Sequence, residues 1–251
     1  GVAEMKFTLA PEIAAALERH VTAGTFGYAG APESLKREIV SWMQRRHGWH
    51  IEPEWLFQTY GLVLAVGCCV RALTEPGDGI LLNFPSYPPF YRAIEQNGRR
   101  LVRSELVERG GKYVFDFEDM ERKIEREQVK LYILCSPQNP TGRVWTREEL
   151  SRVGEICLRV KRVSRETVCV VDNCYGEFTE EVEPTMLGAD LAAGSLIKNP
   201  GGGLAPTGGS ITGRAELVER AAFRLTVPGI GGECGRPLGT TRHLSPGLLS
   251  V

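Results

Sequence analysis

From Trp55 onward, short apolar runs alternate with stretches of helical spacing, and this alternation is the strongest structural signal in the chain. The runs fall near 55–59, 79–83, 100–105, 130–135, 168–172, 191–196 and 208–213. Helical spacing separates them near 62–74, 87–97, 117–127 and 147–160, and returns near 214–223. Such alternation predicts an α/β fold built on a mainly parallel seven-stranded sheet flanked by helices. Some runs, such as VCVVD at 168–172, are apolar at every position until the last. A strand with one wet face alternates apolar and polar residues, whereas a continuous run requires cover on both faces. In sheets of this kind ligands bind beyond the carboxyl ends of the strands, so chemistry-bearing residues are expected there.

The leading residues follow another pattern. Residues 9–23 have helical spacing, with Pro11 near the start, where its missing N–H costs little, and Gly24 as the stop. Residues 33–47 place Leu35, Ile39, Trp42 and Met43 on one helical face and Lys36, Arg37, Gln44 and Arg45 elsewhere. Little in this section reads as a strand. The expected organisation is therefore an N-terminal arm and small-domain segment at 1–50 and a large domain at 51–228. The start of a C-terminal region, otherwise largely missing, is expected at 229–251. Glu75-Pro76-Gly77-Asp78 and Gln96-Asn97-Gly98 read as turns.

Composition narrows the function classes. With 42% hydrophobic residues, a chain of 251 residues can fill a real core. Thirty basic residues against 31 acidic ones give a net charge of −1, which argues against nucleic acid or a membrane surface as partner. No apolar run reaches the roughly 18 residues of a membrane span, and no signal-peptide core is visible at the start. The seven cysteines show no CxxC pair or metal-ligand spacing. They are expected to be reduced thiols in a cytoplasmic protein, and no metal site is expected.

Four stretches carry candidate chemistry, each at an expected strand end. At Thr59-Tyr60-Gly61-Leu62-Val63 a strand turns into a helix through glycine, where free N–H groups and the helix dipole can bind a phosphate. A plain strand-to-helix turn would have the same composition. In Asn83-Phe84-Pro85-Ser86-Tyr87-Pro88-Pro89-Phe90 the prolines stiffen a loop that could fix Tyr87 as a stacking surface, or Tyr87 could simply fill the core. Cys135-Ser136-Pro137-Gln138-Asn139-Pro140-Thr141-Gly142 is a turn by composition, with a candidate cis peptide before Pro140. Its Asn139 could donate to a phenolate oxygen. Lastly, Asp172 ends its apolar run, and Lys198 follows in GSLIKNPGGG. A carboxylate and a partly desolvated amine, each ending an apolar segment beside glycine, suit a pyridinium cofactor that carries an aldehyde, namely pyridoxal 5'-phosphate.

Residues 2–158 resemble the large-domain half of class I and II aminotransferases, closest to the cystathionine β-lyase branch of the MalY/PatB type. The resemblance rests on VAEMKF, on FGY at 26–28, on NFPSYPPF, on CSPQNPTGRVWTREEL and on the turn EPGD. It implies that Tyr87 stacks on the cofactor ring and that Asn139 contacts its phenolate oxygen. Gly61, Leu62 and Val63 would bind phosphate, and Tyr28 would reach the phosphate of a neighbouring subunit. From about Arg165 the chain instead resembles the methionine γ-lyase family, in the subgroup called aluminium resistance protein, through VDNCYGEF, LGADLAAGSLIKNPGGGLAPTGG and VPGIGGECG. That resemblance assigns the ring nitrogen to Asp172, the aldehyde to Lys198 and a share of the phosphate to Ser195. Both families have the type I pyridoxal fold. A changeover between Leu158 and Arg165 implies a chain joined by recombination or design.

Together the resemblances imply a carbon–sulfur lyase acting by β-elimination on a sulfur amino acid of the cystathionine or cysteine-conjugate type. An aminotransferase using the same residues, and a non-catalytic protein of the same fold, stand as alternatives. The implied partners are a small amino-acid substrate and further copies of the chain, as a homodimer or larger homo-oligomer. Arg143, Arg214, Arg224, Arg236 and Arg242 are all available for a substrate carboxylate, and sequence does not choose among them.

Overall fold

Seven strands form one sheet in a computed structural model that describes residues 8–25, 33–48, 50–59, 61–163, 168–174, 184–195, 198 and 208–225. In chain order the elements begin with helices α1 (Pro11–Ala23) and α2 (Glu33–His47). Strand β1 (Phe57–Thr59), helix α3 (Leu62–Leu73), strand β2 (Gly79–Phe84), helix α4 (Pro88–Gln96) and strand β3 (Arg100–Glu105) follow. Strands β4 (Val107–Arg109) and β5 (Lys112–Val114) form a separate hairpin before helix α5 (Phe117–Arg126), strand β6 (Val129–Cys135) and helix α6 (Arg147–Val163). Strands β7 (Val168–Asp172), β8 (Leu191–Ser195) and β9 (Gly209–Gly213) and helix α7 (Ala215–Leu225) complete the described chain.

The sheet order is β1-β9-β8-β7-β6-β2-β3. Strands β3, β2, β6, β7 and β8 run parallel, and β9 alone is reversed, pairing antiparallel with both β8 and β1. The mainly parallel seven-stranded expectation holds. Strand period two divides the core. Ile80, Leu82, Leu131, Ile133, Val168 and Val170 face α3, α4 and α7, while Leu81, Tyr132, Leu134, Cys169 and Val171 face α5 and α6. Both faces are covered, which is why the strand runs are apolar throughout.

Local signals account for the element ends. Gly24 closes α1 at φ 66°, its N–H bonding to the Val21 carbonyl at 3.1 Å, as the stop signal predicts. Asp116 caps α5 by accepting the Asp119 N–H at 3.0 Å. The β4–β5 hairpin was not among the expected strands. Its turn is Gly110-Gly111, with φ of 58° and 76°, a pair of left-handed residues that a tight hairpin requires. Along α2, Met43 is buried with Ile51 and Leu56, and Ile39 and Trp42 pack against them. Among the described residues no helix is long and apolar enough to cross a membrane.

Candidate functional site

Strand direction brings the candidate residues to one edge. The carboxyl ends of β2, β6, β7 and β8 lie together, and because β9 is reversed its first residue joins them, Ser195 pairing with Gly209. The start of α3 reaches the same edge through a bridge between Gly61 and Gly208. This approach is close. A Cβ on Gly209 would lie 2.5 Å from Thr59 Oγ1 and 2.7 Å from the Gly61 carbonyl carbon, so only glycine fits there. The next residues, Leu62 and Val63, open α3. Their N–H groups precede the first intrahelical bond, from Ala65 N–H to Gly61 O at 3.0 Å, and so are left for another acceptor.

Asp172 ends β7 with 4% of its surface exposed. Its side chain lies on the α3 face, two residues beyond Val170. Cys135, its register partner on β6, donates to Oδ2 at 3.1 Å, and the Cys174 N–H donates to Oδ1 at 3.1 Å. Burial pushes the carboxyl above the usual carboxylate range, opposed by hydrogen bonds from Cys135 and Cys174 and by the charge of Lys198. Lys198 is half-buried, and its backbone N–H bonds to the Ser195 carbonyl at 3.1 Å. Ser195 ends β8 and is buried. Thus Asp172 and Ser195 end adjoining strands, and Lys198 is tied to Ser195 through its backbone.

Tyr87 leads into α4, half-buried, with its ring edge-on to Phe90 at 5.4 Å and packed against the α3-side core. The loop after β6 carries Asn139, also half-buried, across a cis peptide to Pro140. Two residues that sequence reasoning passed over tie these loops together. Gln138 is buried and donates from Nε2 to the Pro85 carbonyl at 2.7 Å, linking the Asn139 loop to the Tyr87 loop. Cys135 joins Asp172 to the Asn139 loop, its sulfur lying 3.1 Å from Asp172 Oδ2 and 3.4 Å from the Pro137 carbonyl oxygen. The motif CSPQNPTG contained both residues, but their partners depend on strand pairing that sequence does not display. Tyr28 lies outside the described residues.

The site edge has polar capacity left over. Asn83 Nδ2, Ser86 Oγ and Gln138 Oε1 are buried side-chain atoms without a hydrogen-bond partner, although Asn83 Oδ1 accepts from Tyr132 at 2.7 Å. Of the arginines proposed for a carboxylate, Arg143 is held by both Glu149 oxygens at 2.7 and 2.8 Å and by the Tyr113 carbonyl at 3.0 Å. Arg214 follows β9 at the opposite edge of the sheet, paired with Asp190 at 3.2 Å. Arg236 and Arg242 lie outside the described residues.

Comparison with known proteins adds family and fold. The family model for methionine gamma-lyase matches residues 102–250. The chain is 43% identical over 157 residues to cystathionine beta-lyase PatB of Bacillus subtilis, a match covering 62% of this chain and 41% of the relative. Among solved structures, cystalysin from Treponema denticola, which contains a pyridoxal 5'-phosphate cofactor, superposes with a TM-score of 0.82 at 27% identity. That match covers 99% of this chain and 63% of cystalysin. The pyridoxal-phosphate-bound C-S lyase from Staphylococcus hominis gives 0.80 at 25% identity, covering 97% and 63%. The chain therefore spans less than two thirds of the length of each of these relatives.

Proposed function

The chain belongs to the methionine gamma-lyase family, and on that premise we propose that it is a pyridoxal 5'-phosphate-dependent carbon–sulfur lyase that cleaves a sulfur amino acid by β-elimination. The observation that carries this reading is the buried carboxylate of Asp172 at a strand end, with Lys198 three residues beyond the end of the adjoining strand β8 and bonded by its N–H to Ser195. The likeness to a cystathionine beta-lyase and to a C-S lyase supports the choice of reaction.

The residues fit the cofactor. A buried carboxylate raised by desolvation gains most from an N–H that brings positive charge, and a protonated ring nitrogen is such a donor. Tyr87 would stack on the ring and the Asn139 amide would donate to its phenolate oxygen. The N–H groups of Leu62 and Val63, the close-packed Gly61 turn and the Ser195 hydroxyl would bind the phosphate. When bound, the cofactor supplies an electron sink conjugated to the substrate Cα. Lys198 would be the residue that holds the aldehyde in the resting enzyme. Its Nζ would then serve as the base for the substrate α-proton, the thiolate leaving Cβ with the electron pair of the broken C–S bond. Asp172 would hold the ring nitrogen protonated throughout. Hydrolysis of the released unsaturated amine gives pyruvate and ammonia.

Residues 51–228 form the cofactor-binding body in this reading, with 1–50 as arm and small-domain segment and 229–251 as the start of the C-terminal region. The working unit is a homodimer or larger assembly in the cytoplasm, Tyr28 reaching the phosphate of its neighbour. The 251-residue chain mixed with pyridoxal phosphate should acquire a visible absorbance band that Lys198→Ala removes. Cystathionine should then yield pyruvate with no keto acid added. Turnover that depends on a keto acid and releases no ammonia would make the enzyme an aminotransferase. A band unchanged in Lys198→Ala would overturn the site, and a bound cofactor without turnover would leave a non-catalytic fold.

A further inference from the structure

The mechanism uses no thiol, yet a buried one sits at the centre of its residues. Cys135 and Asp172 are register partners on β6 and β7, with their side chains on the same sheet face. Cys135 Sγ lies 3.1 Å from Asp172 Oδ2 and 3.4 Å from the Pro137 carbonyl oxygen. A thiol has one proton. Between these acceptors the carboxylate is nearer and carries charge, so it takes the hydrogen bond. The contact with Pro137 sets the sulfur against the loop that carries Asn139. Both backbones are pinned, by Trp145 Nε1–H on the Cys135 carbonyl at 2.9 Å and by the Ser136 N–H on the Asp172 carbonyl at 2.9 Å.

We propose that Cys135 is a positioning residue, its thiol fixing the plane of the Asp172 carboxylate and coupling it to the Asn139 loop, so that both ring contacts are set before the cofactor arrives. This rests on the reading of Asp172 as partner of the ring nitrogen. The two carboxylate oxygens carry different protein donors, the thiol on Oδ2 and the Cys174 N–H on Oδ1. These leave a defined part of the acceptor capacity facing the site. Burial, followed by the neighbouring Asp172 charge, holds the Cys135 thiol well above its ordinary range. It is therefore a donor at neutral pH, not a nucleophile.

Equilibrium titration of the full chain with pyridoxal phosphate tests this. Cys135→Val removes the donor at nearly constant volume and should raise Kd about tenfold, the weaker end of what a hydrogen bond to a charged group contributes. Cys135→Ser keeps a donor and should restore wild-type Kd, which a merely space-filling role would not explain. In Cys174→Ala protein, where Cys135 is the thiol left beside Asp172, the infrared S–H stretch should include a component below that of the other buried thiols, lost when Asp172→Asn is added. This measurement decides the matter even where Cys135→Val fails to fold. Absence of that component, or wild-type Kd in Cys135→Val while Asp172→Asn binds weakly, would overturn the thiol's role alone. Wild-type Kd in Asp172→Asn would overturn the assignment of Asp172 and this proposal with it.

Discussion

Asp172 and Asp190 are equally hidden, each 4% exposed, and stand at opposite edges of the same parallel pair of strands. Asp190 precedes β8. It accepts the Cys169 N–H at 2.9 Å and the Arg214 guanidinium at 3.2 Å. Its own N–H and carbonyl bond back to Cys169 and Arg214 at 2.9 and 3.0 Å. That corner is a closed structural joint holding β7, β8 and the end of β9. Asp172 has thiols and one N–H where Asp190 has an arginine, and burial pushes its carboxyl up. A buried acid completed by its own chain serves stability, whereas one left with weak donors and a displaced acidity is suited to a ligand.

The closed corner should break most severely at its backbone. Gly213 adopts φ 138°, and a Cβ there would overlap the Asp190 carbonyl oxygen. Backbone strain and overpacking each cost about 1–3 kcal/mol. Gly213→Ala should therefore destabilise the apoprotein by about 4 kcal/mol in urea unfolding. Next in size is Asp190→Ala. Arg214 is 55% exposed, so the ion pair itself contributes little after screening. The loss comes from the Cys169 N–H left buried without its acceptor, and should be about 2–3 kcal/mol. Cofactor affinity should stay unchanged in stably folded Asp190→Ala protein. A loosened Kd would mean that the two edges are coupled and that the contrast between the acids is false.

Sequence displayed one side of this contrast better than the other. Among the described residues all seven sheet strands and seven α-helices were legible, because strand and helix periods are local and the strands are apolar on both faces. The residues of the site edge were legible too, as departures from those periods at run ends. Asp190 was not, since LGADLAAG gives no sign that Asp190 faces Arg214 across a reversed strand. The direction of β9 escaped for the same reason, as did the register that sets Cys135 beside Asp172. Pairing between distant segments is decided by packing, and composition carries no record of it. The β4–β5 hairpin is a different kind of miss, because Gly110-Gly111 announced it and the flanking runs were too short and polar to be read as strands.

The subtler effect is expected at Asp172 itself, where affinity and stability should move in opposite directions. Asp172→Asn removes the charge that a protonated ring nitrogen would meet, and pyridoxal phosphate should bind roughly 10- to 100-fold more weakly, the range for a charge-assisted hydrogen bond. The apoprotein should gain stability at neutral pH. Because burial raises the folded carboxyl above its ordinary value of 3.8, folding takes up a proton in the interval between the two. The stabilisation linked to that proton is fully present below 3.8 and lost as pH rises through the folded value. An asparagine has no such loss. Urea titrations of the two apoproteins should therefore differ least in acid and diverge in favour of Asp172→Asn as pH rises towards neutrality. A gap that is constant with pH, or that favours the unsubstituted protein at neutral pH, would place Asp172 with Asp190 among acids that the fold completes for itself.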